Sequence, residues 1–275
     1  DGARSRSGCM WISRRLSISR CIDLTFTYPR VRRAAFTLIE VLVVIAIVAV
    51  LVGLSVVGLS AARRAASQTK SLSNLRGIGQ SIEVYCGTYR SYPFAPAETL
   101  LDAMPPGEAN AEQVGFSPVW LLEYAWPMLM HPVAPWDQHY ATWISPGLQR
   151  PASRPWVRDP GVFFDTGAKP SYRYSNSFLA RPAVWARDIE AGSAAIGPTT
   201  PADVAMPSLK VLMFDIDRAY LRANEGGAPR PLLFADSSAA ARQDSDAHAP
   251  VQNRLHGNPP LRYHDTPDGI LGRDF

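Results

Sequence analysis

Apolar residues follow three different patterns along this chain, and each pattern predicts a different element. From Val41 to Leu59 they run through nineteen positions with no charge and no proline, Ser55 being the only polar side chain. A helix rises about 1.5 Å per residue, so such a run comes close to spanning a hydrocarbon core of about 30 Å. A helix apolar on all sides over that length suits lipid better than a soluble core. Beyond Leu59 the pattern changes: Leu72, Leu75, Ile78, Ile82, Tyr85 and Tyr89 recur at three or four residues, while Arg63, Arg64, Lys70, Arg76 and Glu83 take the polar positions. This is the mark of an amphipathic helix, so one helix is predicted to run from the bilayer into a folded head. Gly77 and Gly79 each lower helix propensity by roughly 1 kcal/mol relative to Ala, which leaves room for a bend. The sequence SYP at 91–93 ends the helix, because the residue before proline resists helical angles.

The third pattern lies near the C-terminus. SLKVLMFDIDRAYL and RPLLFADSSAAARQ are apolar runs of strand length, separated by the Gly- and Pro-containing RANEGGAPR. An antiparallel hairpin is predicted. The middle, residues 95–207, is rich in Pro and Trp and only weakly periodic. A short helix is expected near 118–126, extended until Pro127 interrupts it. GVFFD at 161–165 and SYRYSNSFLA at 171–180 read as short extended segments. Trp120, Trp126, Trp136, Trp143, Trp156 and Trp185 suggest a core in which aromatic side chains bridge irregular loops. The expected fold class is therefore α+β: a long N-terminal helix, half transmembrane and half amphipathic, followed by a head with an antiparallel sheet. The expected divisions are 1–35 as a leader, 36–93 as the helix and 94–275 as the globular head.

Charge refines this picture. The formal net charge is +4, but residues 1–35 hold eight Arg and two acids, a net of +6, leaving 20 basic and 22 acidic groups elsewhere, a net of −2. The basic balance therefore belongs to the first 35 residues, nucleic-acid binding loses its main support, and no nucleic-acid partner is expected. Cys9, Cys21 and Cys86 have neither CxxC spacing nor an even count, so no zinc site or disulfide framework is implied. Cys86 is expected to pack as a small apolar side chain. The sequence opens with Asp, and Met10 is one candidate start.

Arg32 and Arg33, followed by an apolar run, also fit a secretory signal peptide, but the run is longer than an ordinary h-region and SAARRAA is a poor cleavage site. Four basic residues lie close before the span (Arg20, Arg30, Arg32, Arg33) and four after it (Arg63, Arg64, Lys70, Arg76), so counting charges does not orient it. The arrangement around Glu40 does. Arg32, Arg33, two small residues and then FTLIEVLVVIAIVAVLVGL resemble the class III signal of type IV pilins and type II secretion pseudopilins. The resemblance implies that a prepilin peptidase cuts between Ala35 and Phe36, methylates the new amino group of Phe36, and leaves Glu40 as the fifth mature residue. It also implies a cytoplasmic leader, a periplasmic head and an inner-membrane helix that packs beside those of other pilin or pseudopilin subunits. Glu40 would pair with a neighbour's N-terminal ammonium, each charge offsetting the other's desolvation. One departure stands out: the family nearly always has Gly before the cut, and here it is Ala35. NLRGIGQSIEVYCGTYRSYP and the ending HDTPDGILGRDF are similar to further stretches of such proteins, and Phe234-Ala235-Asp236-Ser237 stands where relatives carry F-A-D-G.

Other chemistry has weaker support. Asp215 and Asp217 in VLMFDID resemble the first motif of haloacid-dehalogenase-like phosphotransferases, which need a parallel sheet and Mg²⁺. His248, His256 and His264 lie among Asp244, Asp246, Asp265 and Asp268, but their spacing and the prolines favour ordinary surface histidines. Some pseudopilins hold calcium in a C-terminal loop, and Asp265 and Asp268 are the candidate oxygen ligands here; otherwise no cofactor is expected. No GxSxG, HExxH, P-loop or GxGxxG sequence occurs, so the chain is expected to be a filament subunit and not an enzyme. The alternative from another class is a single-span membrane protein whose Trp-rich periplasmic head binds a glycan or other ligand.

Overall fold

In the computed structural model the described residues are 37–96, 118–148, 170–185, 195–222, 225–253, 255 and 259–275. They divide into two compact units, meeting between Val52 and Gly53. The first helix, α1, spans Leu38–Tyr89 without interruption and crosses that boundary. Its second half contributes Leu75, Ile78, Ile82 and Tyr85 to the large core and falls in the unit Gly53–Phe275. The helix ends where Arg90 takes a left-handed φ of 60° and donates its N–H to the Cys86 carbonyl, two residues before Tyr92.

The amphipathic reading of this half holds. Leu75, Ile78, Ile82 and Tyr85 are buried, Leu72 is half-buried, and Tyr89 at the helix end is exposed. Two polar residues, Ser71 and Asn74, share the buried stripe. The helix continues through both glycines without a break. Gly79 is a point of close approach: a Cβ there would lie 2.9 Å from Leu233 Cδ1, whereas at Gly77 nothing lies within 4 Å.

The head carries a four-stranded, wholly antiparallel sheet in the order β1 (Tyr172–Tyr174), β2 (Val211–Asp215), β3 (Arg230–Phe234) and β4 (Ala239–Arg242). The predicted hairpin is β2–β3, and β4 adds a second one through the turn at Ala235–Ser238. In that turn Ser237 adopts φ 63°, the left-handed conformation for which Gly is the usual residue. Every residue of β2 is buried because the sheet is covered on both faces. Leu212, Met213 and Leu233 join the large core with α1 and the tryptophans, while Val211, Phe214, Leu232 and Phe234 pack with Ala247 and Tyr263. The architecture is the α+β, pilin-like one expected from the sequence.

Two local expectations are corrected. A 3₁₀ turn at Pro118–Leu121 leads into α2 (Leu122–Met130), and Pro127 lies inside this helix without ending it. Proline removes only the bond its N–H would make to the Glu123 carbonyl, and burial of Trp126, Pro127 and Met130 outweighs that loss. Of the extended stretch 171–180 only β1 is a strand, since Ser175 Oγ accepts the Ser177 N–H and turns the chain into a 3₁₀ helix at Asn176–Phe178. GVFFD lies outside the described residues. A four-residue helix, α3 (Trp136–His139), completes the regular elements used below.

Candidate functional site

Of the predicted processing and assembly residues, Ala35 and Phe36 lie outside the described residues, and Glu40 stands in the first turn of α1. Thr37 precedes the helix and completes a reciprocal cap. Its backbone N–H and its hydroxyl both donate to Glu40 Oε2 at 2.8 Å, and the Glu40 N–H donates to Thr37 Oγ1 at 3.3 Å. This is the capping-box arrangement, in which an acid satisfies helix-end donors that have no intrahelical partner. Glu40 thus has a use within its own chain as well as the one inferred between chains. Behind it the side chains of Leu38, Ile39, Val41–Ile45, Ile47, Val48, Val50–Val52 and Leu54 are all exposed. The helix is long and apolar enough to cross a membrane. An exposed apolar surface of this extent is a surface made to be covered.

A second cluster of polar groups ties α1 to the head. Asp215, at the end of β2, is buried; its Oδ2 accepts from Ser71 Oγ and Ser145 Oγ, both at 2.8 Å, and its Oδ1 accepts the Arg218 N–H at 2.9 Å. Tyr172 donates its hydroxyl to Ser71 Oγ, and Asn74 Nδ2 donates to the Tyr172 hydroxyl. Burial pushes the Asp215 carboxyl above its ordinary range even though these donors pull it down. The dehalogenase-like reading fails here. The β2 strand is antiparallel to both neighbours, Asp215 is consumed by structural bonds, and Asp217 is exposed.

The C-terminal residues form a third cluster. Lys210 is fully buried, donates to Thr266 Oγ1 at 2.6 Å, and lies 3.5 Å from Asp274 Oδ2. Asp274 also accepts the Val211 N–H at 2.7 Å and the Thr266 hydroxyl at 2.6 Å. Burial lowers the Lys210 ammonium to about 8, with Asp274 opposing that shift. The last residue, Phe275, packs against Phe234 and Tyr263 and under the Arg242 guanidinium.

The histidines expected at the surface are not all there. His264 is buried, its Nδ1 accepts the Asn176 N–H at 3.2 Å, and its Nε2 faces Glu123 Oε2 at 3.3 Å; the accepting Nδ1 places the ring proton on Nε2. His248 is exposed and His256 lies outside the described residues. Asp265 is buried, with Oδ1 accepting from Trp185 Nε1 at 3.3 Å and Oδ2 from the Leu261 N–H at 2.8 Å, whereas Asp268 is exposed at a left-handed φ of 60°. Among the described residues no group of three or more His, Cys, Asp or Glu is placed to hold a metal.

Trp120, Trp126, Trp143 and Trp185 are buried, and the rings of Trp126 and Trp143 meet at 5.1 Å. They build the core and leave no described tryptophan face for a ligand; the Trp136 side chain and Trp156 lie outside the described residues. The sequence reading missed Lys210, Asp274, Ser71 and Asn74. For the last two a signal existed: they fall on the same helical face as Leu75 and Ile78, where a polar residue implies a buried partner.

Residues 30–56 fit the family model of the prokaryotic N-terminal methylation motif. None of the curated proteins and none of the solved structures compared with the chain matches it. The matched stretch contains Ala35, Phe36, Glu40 and the beginning of α1, and it identifies the chain as one that carries a prepilin-like class III signal and an apolar helix fit for membrane anchorage.

Proposed function

We propose that the protein is a structural subunit of a type II secretion pseudopilus or a type IV pilus-like filament. Prepilin peptidase cuts between Ala35 and Phe36 and methylates Phe36, with the leader in the cytoplasm and the head in the periplasm. The mature subunit waits in the inner membrane and assembles through α1, the Glu40 carboxylate pairing with the methylated amine of a neighbouring subunit. The chain is then the substrate of an enzyme and performs no catalysis of its own. One observation carries this reading: a carboxylate at the head of a helix whose first half is apolar and exposed, inside the stretch that matches the methylation motif.

Mass spectrometry of the mature N-terminus, from cells that contain a prepilin peptidase, tests the processing step. The expected product begins with N-methyl-Phe36. An intact leader would sink the proposal and leave the single-span binding protein as the better account. Assembly is read separately by crosslinking in the envelope, where Glu40→Gln is expected to abolish multimers while leaving cleavage unchanged.

A further inference from the structure

The apolar run ends at Leu59, and the residues just after it border a cleft of about 410 Å³ lined by Leu59, Ser60, Arg63, Arg64, Tyr220 and Arg222. Three of these six side chains are guanidinium groups. Arg64 is paired with Glu225 Oε1 at 3.3 Å, and Glu225 Oε2 accepts the Arg222 N–H at 3.2 Å, so one carboxylate links Arg222 to α1. Among the described residues Arg63 and the Arg222 guanidinium have no ion-pair partner, and both are exposed. Three positive groups against one carboxylate leave the cleft with a net of +2.

Its depth in a membrane follows from helix geometry. Arg63 is four residues past Leu59, about 6 Å along the axis. The headgroup layer on each side of a bilayer is about 5–8 Å thick, from a hydrocarbon core of about 30 Å within a total of about 40–45 Å. The arginines thus fall in the phosphate layer, while Leu59 remains at the level of the acyl chains. Guanidinium groups bind phosphate oxygens through parallel N–H donors, and the Leu59 and Tyr220 side chains supply an apolar wall beside them.

We propose that this cleft binds the phosphodiester headgroup of an anionic phospholipid. The inference rests on membrane anchorage of α1 and does not require filament assembly. Its readout, lipid retention by a single chain, is independent of the crosslinking that tests Glu40.

Native mass spectrometry of the full chain in a neutral detergent, with phosphatidylglycerol or phosphatidylcholine added, decides the matter. Phosphatidylglycerol is expected to be retained in preference to phosphatidylcholine. Arg63→Gln and Arg222→Gln should each reduce that retention about fivefold, and Arg181→Gln, at an exposed residue that does not line the cleft, should not. Equal retention of the two lipids, or an equal fall in Arg181→Gln, would overturn the proposal. Displacement of the lipid by an equal concentration of glycerol 3-phosphate would also overturn it, in favour of a site for a soluble phosphate ester. Release of the wild-type chain from membranes by alkaline carbonate would remove the anchorage beneath it, whatever the lipid result.

Discussion

Gly77 and Gly79 are two residues apart and look alike in the sequence, yet they face different surroundings. A methyl at Gly77 meets nothing within 4 Å, so Gly77→Ala is expected to stabilise the head by about 1 kcal/mol through helix propensity alone. At Gly79 the new Cβ would press on Leu233 Cδ1, the tip of a fully buried side chain. Overpacking of this kind costs about 1–3 kcal/mol, so Gly79→Ala is expected to lose the propensity gain and fall below wild type. Urea unfolding of the two variants checks this, and equal stabilisation by both would refute the close-approach role. The sequence conveyed the propensity cost of the two glycines, because that is a property of the residue. It could not convey which one touches the sheet, because that depends on strands more than 150 positions away, such as Leu233.

Among the elements, α1 and the β2–β3 hairpin were legible because their apolar patterns are strong and local. The path of α2 past Pro127 and the early end of β1 were not, since each is decided by packing or by a side-chain-to-backbone bond. The fastening of β2 to the C-terminal residues was equally hidden, because Lys210 lies far from Thr266 and Asp274 in sequence. It has a measurable pH signature. Lys210 has a native value of about 8 against an ordinary value of 10.5, so below pH 8 it is protonated in both states and its full burial cost is present. As the pH rises from about 8 toward 10.5 the unfolded chain keeps a proton that the native chain releases, and the native state gains stability. Between pH 8 and 10 wild type is expected to gain about 2 kcal/mol relative to Lys210→Met, measured by urea unfolding at each pH. The buried tyrosines are common to both proteins and cancel in the difference. A gap independent of pH would show that Lys210 does not titrate in this window.

At the scale of the whole molecule, the processing segment was readable because its meaning lies in short-range spacing, from Arg32 through Glu40, and a family model finds the same residues. The interior of the head was not readable in this way, because its polar clusters join residues from distant parts of the chain. The proposed processing makes a prediction at this scale. Ala35 adds a methyl group where the related signals carry Gly, so Ala35→Gly is expected to raise the cleaved fraction severalfold in a pulse-chase experiment, with no change in the mature N-terminus. An unchanged rate would mean that the peptidase is indifferent to bulk there.

The carboxylate of Asp215 also governs how a tug on the helix reaches the rest of the protein. Greasy side chains can slide past one another by a turn and find new company, but Ser71 cannot slide without abandoning an acid that no water reaches. Traction along α1 therefore meets a latch and not a lubricated seam. The helix and sheet should hold one alignment under load until they part abruptly.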